Sequence, residues 1–204
     1  MADSQLGPLS DDQTRALGVV QRAVERLGRL IEDLIEFSTA SREGLALHLQ
    51  RVTVQEMAAQ ALERTHEKAD KAGVHLVAEL ADGLPPLTAD PIRLTWVLHQ
   101  LLDNAIKFTP GGGQVTLRAR WAPPNVLISV VDSGIGIAPT RLEEIFEPFH
   151  QLDGSPTRRY GGTGLGLSLV KLILSAHGTQ LAVESEEGKG STFSFSLSPE
   201  GAPE

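Results

Sequence analysis

The stretch Arg159–Val170, RYGGTGLGLSLV, places Gly161, Gly162, Gly164 and Gly166 within six positions and then turns apolar. Glycines at that density let a backbone approach a ligand closely, and the apolar run after them predicts a helix over about 164–177, ended by Gly178. A helix entered in this way aims unpaired N–H groups and the positive end of its dipole at whatever lies in front of it, most often a phosphate. The pattern is not a P-loop. After Gly166 come Leu167 and Ser168, where a Walker sequence needs Lys and then Ser or Thr. Phosphate here would be held by backbone N–H groups, with a cation drawn from Lys107, Arg158 or Arg159.

Three further segments bear on that reading. In HQLLDNAIKFTP (99–110) and the residues just before it, helical spacing gathers Leu94, Leu98, Leu101, Leu102 and Ala105 on one side of a predicted helix over about 91–108. Gln100, Asn104 and Lys107 line up on the opposite side, within about 60°. An amide and an ammonium one turn apart suit a metal and the phosphates it bridges; a solvated helix face is the plain alternative. In VLISVVDSGIGIAP (126–139), an apolar strand delivers Asp132 at its end, followed by Gly134 and Gly136. A carboxylate there can accept a hydrogen bond from a purine amino group, and the glycines let a base lie against the backbone. The plain alternative is an Asp-Ser-Gly turn. A dinucleotide fingerprint is excluded, because its third glycine falls on Pro139. In IFEPFHQLDGSPTRRY (145–160), Ile145, Phe146 and Phe149 are apolar, while Pro148, Gly154 and Pro156 break regular structure. That mixture suits a lid with an apolar anchor.

The whole chain sets the frame. Its 204 residues are 41% apolar, enough for a real core, with a formal net charge of −8 and no cysteine. An acidic balance argues against nucleic-acid binding and gives no reason for contact with an anionic membrane. Without cysteine there is no disulfide framework and no thiolate zinc site. No run of about 18 apolar residues occurs, and MADSQLGPLSDD lacks the basic and apolar regions of a signal peptide. The expectation is a cytoplasmic segment or the cytoplasmic portion of a membrane sensor.

Two parts follow one another. Ser10-Asp11-Asp12-Gln13 fits a capping box, and Leu17, Val20, Val24, Leu27, Ile31 and Leu34 then form a seam at three-four spacing. The stripe, widened by Leu30, Ile35 and Phe37, points to a bundle made with a partner chain or a segment outside this sequence; packing onto its own domain is the alternative. From about Leu47 the pattern is mixed α/β. LHLQRVTV and VHLVAEL flank a helix at about 54–72, QVTLRARW and NVLISVVD read as a hairpin, and TQLAVES and STFSFSLS close the chain. The expected divisions are 1–46, 47–198 and a frayed tail at 199–204.

Taken in order, LLDNAIKFTP, DSGIGI, FEPF and GGTGLGLSLV resemble the N, G1, F and G2 boxes of sensor histidine kinases. The resemblance covers about 47–198 as the catalytic ATP-binding domain, including the closing GKGSTFSFSL, and the first helix resembles the second helix of the dimerisation and phosphotransfer hairpin. It implies an α+β fold, a two-layer α/β sandwich of the Bergerat type with a mixed sheet and helices on one face. It also implies ATP and Mg²⁺ as cofactors. Asn104 would be the magnesium ligand, Lys107 a phosphate contact and Asp132 the adenine contact, helped by Gly134 and Gly136. Phe149 would belong to the mobile lid, and Gly162, Thr163, Gly164, Leu165 and Gly166 would cradle the phosphates, with Arg158 and Arg159 close by. The implied partners are a second copy of the chain through the first helix and the receiver domain of a response regulator.

Two departures from the family's pattern stand out. Where many members carry a second asparagine one turn before the metal ligand, this chain has Gln100. No His-Glu-x-Arg-x-Pro acceptor pattern surrounds any of the six histidines. His48, His66, His75, His99, His150 and His177 all read better as structural or site-adjacent, so the acceptor histidine is expected on a helix absent from this sequence. The alternatives are an acceptor-less ATP-binding regulatory and dimerisation module, a related ATPase of the gyrase, mismatch-repair or heat-shock chaperone type, and an anti-sigma-type serine kinase.

Overall fold

The computed structural model describes residues 9–43, 45–149 and 164–201. Helix α1 (Asp11–Glu43) begins as its sequence dictates: Ser10 Oγ accepts from the Gln13 N–H at 3.3 Å, and the Gln13 side chain accepts from the Ser10 N–H at 2.9 Å. The seam residues Leu17, Val20, Val24, Leu27, Ile31 and Leu34 are all between 46% and 63% exposed. The seam is therefore not buried on the chain's own α/β part, although α1 touches the last helix of that part.

The remainder is a two-layer sandwich. Strand β1 (Gln50–Val52) pairs antiparallel with β3 (Leu87–Ala89) as a small separate sheet. The main sheet, in the order β2-β4-β5-β7-β6, comprises β2 (His75–Leu80), β4 (Gln114–Ala122), β5 (Asn125–Asp132), β6 (Ala182–Glu186) and β7 (Gly190–Leu197). β2 runs parallel to β4, and every other pair is antiparallel. The period-two burial of β5, with Val126, Ile128, Val130 and Asp132 buried, leaves one sheet face to be covered. Helices α2 (Val54–Ala72), α3 (Pro91–Phe108) and α4 (Gly166–Ala176) supply the apolar side chains of that core, among them Met57, Leu94, Leu98, Leu101, Leu169 and Ile173.

Helices α2 and α3 begin for local reasons. Thr53 caps α2 in a reciprocal box with Glu56, whose carboxyl is held below its ordinary range by the Thr53 hydroxyl and N–H. Gly73 ends α2 at φ 67°, the left-handed conformation glycine adopts without penalty. Asp90 caps α3, and Pro91 occupies the first helical position, where its missing N–H costs nothing. Strand β1 lies within the LHLQRVTV stretch read before α2, whereas β3 was not separable from loop in the sequence, since three residues show no period. The frayed tail does not extend to Pro199 and Glu200: Pro199 forms an isolated bridge with Leu87, and the Glu200 N–H donates to Pro86 O at 2.8 Å.

Asp90 is also a junction. Its Oδ1 accepts from the Arg93 N–H at 3.1 Å, its Oδ2 from the His48 N–H at 2.9 Å, and its own N–H donates to His177 Nε2 at 3.0 Å. His177 Nδ1 in turn meets Ile173 O at 2.8 Å. A carbonyl can only accept, so Nδ1 carries the proton and Nε2 the lone pair, and His177 is neutral in this arrangement. The ring is a structural bridge, in keeping with the reading of His177 as structural or site-adjacent. Burial alone would push the Asp90 carboxyl up, but the His48 and Arg93 N–H groups and the charge of Arg93 outweigh it and hold it down.

The Asp90→Ala variant removes the cap and a bond to the segment after α1, and is expected to lose about 2 kcal/mol at neutral pH. A carboxyl with a depressed folded pKa stabilises above its unfolded value, near pH 4, and loses that contribution as pH falls through the folded value. Urea unfolding at pH 7 and pH 3 should therefore show the gap between wild type and variant narrowing at the lower pH.

Candidate functional site

The site is assembled where the C-terminal half of α3, the end of β5 and the start of α4 meet. On α3 the predicted division of faces holds: Leu94, Leu98, Leu101, Leu102 and Ala105 are buried, while Gln100, Asn104 and Lys107 are half-buried. Gln100 reaches α4, since a Cβ built on Gly166 would stand 3.1 Å from Gln100 Oε1. The start of α4 carries no side-chain cap. Its first N–H groups thus start beside Gln100 on the polar face of α3, a polar corner suited to an anion.

The end of β5 brings Asp132 to the same corner. Asp132 is 7% exposed, and its Oδ1 accepts from the Gly134 N–H at 2.8 Å and the Ser191 N–H at 3.3 Å. The first bond is the turn foreseen as the plain reading, and it coexists with the rest of the site because both bonds fall on Oδ1, leaving Oδ2 for a ligand. Burial pushes the Asp132 carboxyl above its ordinary range, with the two N–H groups opposing this only in part.

The glycines after Asp132 are fixed by close backbone approach. A Cβ on Gly134 would lie 2.5 Å from Phe108 O, and one on Gly136, at φ 65°, would lie 2.0 Å from Glu186 O. The Ile135 N–H donates to Phe108 O at 3.1 Å, and Ile135 O accepts from the Gly188 N–H at 2.7 Å. The loop 133–138 is thus stitched to α3 on one side and to the β6–β7 turn on the other. Gly190, at φ 105°, sits where a Cβ would be 1.9 Å from Asp132 O. Its importance showed in the sequence only as part of the closing motif. Ser185 and Ser191, which bind this loop and Asp132, carried no signal, because serines in a polar strand look ordinary.

Phe149 is 61% exposed at φ 63°, and its N–H donates to Gly164 O at 3.0 Å. The residues on either side of 150–163 are therefore hydrogen-bonded to each other. Arg158, Arg159, Gly162 and Thr163, together with His150, lie outside the described residues. Gly164, at φ 74°, Leu165, fully buried, and Gly166 lead into α4. Ile145 packs against the core, and the Phe146 ring lies 4.6 Å from Lys171 Nζ.

The described histidines are scattered. His48 and His75 are exposed, His66 pairs with Asp70 on the surface of α2, and His177 is the neutral bridge. His99 is half-buried; its burial lowers its pKa, and Arg64 and Lys68 add to that against Asp103. Among the described residues no group of three His, Cys, Asp or Glu could hold a metal ion. A cation here would be bound by an amide oxygen from α3 and by oxygens of the anion it accompanies, a donor set suited to Mg²⁺. Among the described residues, no helix is long and apolar enough to cross a membrane.

Comparison with known proteins gives a consistent result. The family described as histidine kinase-, DNA gyrase B-, and HSP90-like ATPase matches residues 89–201. The circadian input-output histidine kinase CikA of Synechococcus elongatus is 36% identical over 189 residues, covering 92% of this chain and 25% of that protein. The alginate biosynthesis sensor protein KinB of Pseudomonas aeruginosa is 37% identical over 186 residues, covering 91% of this chain and 31% of that one. The chain thus spans about a third or less of these relatives. Among solved structures, full-length ShkA in complex with AMPPNP superposes with a TM-score of 0.83 at 30% identity, covering 97% of this chain and 41% of that one. The catalytic domain of the histidine kinase ThkA superposes with a TM-score of 0.66 at 27% identity, covering 74% of this chain and 96% of that one.

Proposed function

Since the chain belongs to the histidine kinase-, DNA gyrase B-, and HSP90-like ATPase family, we propose that it is the catalytic half of a two-component sensor kinase, passing the γ-phosphoryl of Mg-ATP to a histidine on another helix. The observation that carries this is the polar corner itself. Gln100 reaches Gly166 at the uncapped start of α4, Asn104 and Lys107 share its half-buried face of α3, and Asp132 ends β5 just before a loop pressed against α3. The similarity to sensor kinases along more than nine-tenths of the chain supports this choice within the family.

In this reading Asp132 accepts a hydrogen bond from the adenine 6-amino group, and Gly134 and Gly136 admit the base to the backbone. Backbone N–H groups around Gly164, Leu165 and Gly166 hold the phosphates, joined by Lys107 and by Gly162, Thr163, Arg158 and Arg159. Asn104 holds Mg²⁺ through its amide oxygen, with Gln100 as a second ligand or as the brace for Gly166. The ion, when bound, neutralises charge building on the transferred group, and the chain's own part is positioning. Phe149 borders the segment that covers the nucleotide. The exposed seam of α1 pairs with the helices of a second copy and with the acceptor helix, and a response regulator receives the phosphoryl group.

Asp132→Asn replaces an acceptor by an amide able to donate, and ATP affinity should fall by about tenfold to a hundredfold, read by calorimetry. In the wild type, affinity should also fall on acidification, because a protonated Asp132 turns one oxygen into a donor and keeps only an uncharged, weaker carbonyl acceptor. Since its pKa is raised, the loss should begin at higher pH than for an ordinary aspartate. Full affinity in the Asn variant would refute the adenine contact.

Asn104→Ala should abolish the difference in ATP affinity between Mg²⁺ and EDTA while leaving metal-free ADP binding within about twofold. Persistence of the metal effect would reassign the ligand.

Incubation of the chain with γ-labelled ATP and a separately made acceptor-helix protein should place acid-labile label on the added histidine and none on the chain. ATP binding without transfer to any acceptor would instead identify an ATP-dependent regulatory module.

A further inference from the structure

Three residues form a row across the strands beside the base-binding end of the sheet. Asp132 on β5 is register partner to Ser191 on β7, and Ser191 is partner to Ser185 on the edge strand β6. Direct partners in adjacent strands present their side chains to the same face. Ser185 Oγ lies 2.8 Å from Ile137 N, 3.0 Å from Gly190 O and 2.9 Å from Ser191 Oγ.

The proton count in this row has one solution. The Ile137 N–H can only donate and the Gly190 carbonyl can only accept, so Ser185 spends its single proton on Gly190. The bond between the serines must then be donated by Ser191. Ser185 is left saturated, and Ser191 has its proton turned away from Asp132, with lone pairs left for other neighbours. The Ser191 N–H meanwhile supports Asp132 Oδ1 at 3.3 Å.

We propose that Ser185 is a positioning residue that sets base selectivity: by fixing the Ser191 hydroxyl as an acceptor, it makes the pocket beside Asp132 accept hydrogen bonds only. Such a pocket welcomes the 6-amino group of adenine and repels the 6-oxo group of hypoxanthine or guanine. Without the Ser185 hydroxyl, Ser191 is free to turn its proton toward Asp132 or toward an incoming oxo group, and both outcomes erode the preference. The same hydroxyl holds Ile137, so Ser185 also anchors the loop carrying Gly134 and Gly136. This inference rests on Asp132 as the contact for the base.

The test is the ratio of ADP to IDP affinity, measured by calorimetry on the full chain and its variants. Wild type should prefer ADP by about a hundredfold or more, as expected of a site built around hydrogen bonds to a substrate amine. Ser185→Ala should shrink that ratio by about tenfold, the size of one hydrogen bond, and Ser185→Thr, which keeps the hydroxyl, should restore it. Ser191→Ala, which removes the acceptor itself, should also shrink the ratio, and it decides the matter if Ser185→Ala does not fold. Equal weakening of ADP and IDP in Ser185→Ala, or an unchanged ratio in Ser191→Ala, overturns the proposal while leaving the Asp132 reading intact. A wild type that binds ADP and IDP equally removes both.

Discussion

The site depends on one close backbone approach, between the last turn of α3 and the loop that follows β5. Phe108 O accepts the Ile135 N–H at 3.1 Å and would lie 2.5 Å from any Cβ at position 134. A residue larger than glycine would force the loop away from the helix and pull apart two groups of side chains. One group is the amide and ammonium face of α3; the other is Asp132 with its row of serines. The hydrogen bond costs little to make, yet it fixes the distance between the part of the site suited to a base and the part suited to phosphates. On the far side, Gly136 and Gly190 permit comparable approaches to Glu186 O and Asp132 O, so the loop is clamped from both flanks.

Where the sequence was legible, side-chain periodicity and local capping chemistry pointed the same way. The α3 helix could be read to its ends because Asp90, Pro91 and the leucine spacing agree, and the β4–β5 hairpin because a turn separates two strongly patterned strands. The opposed faces of α3 were visible for the same reason. What a sequence cannot display is a contact made only after folding. Gln100 meets Gly166 across 66 positions, Ser185 bonds Ile137 across 48, and His177 bonds Asp90 across 87. None has a local pattern. His177 was read only as structural or site-adjacent, because its acceptor role toward the Asp90 N–H has no trace in the residues around it.

That bridge links two regions that the sequence divides. Asp90 ties the backbone of His48, in the connection after α1, to the start of α3 and through His177 to the end of α4. Helices α3 and α4 are the two that carry the polar corner. A helix passes displacement along its axis with little loss because its hydrogen bonds lie parallel to it. The connection from α1 is thus joined to the ends of both site helices opposite the corner, while α1 itself also touches α4.

The sheet fixes the other half of the site. Asp132, Ser191 and Ser185 occupy consecutive places in a hydrogen-bonded ladder, and that ladder sets their spacing whatever the helices do. The polar face of α3 is made of half-buried side chains on a helix packed against α4 through the core, whereas Asp132 and Ser191 are buried and Ser185 half-buried on three paired strands. The acceptor row around Ser185 is thus spaced by the ladder, and the polar face of α3 by helix packing.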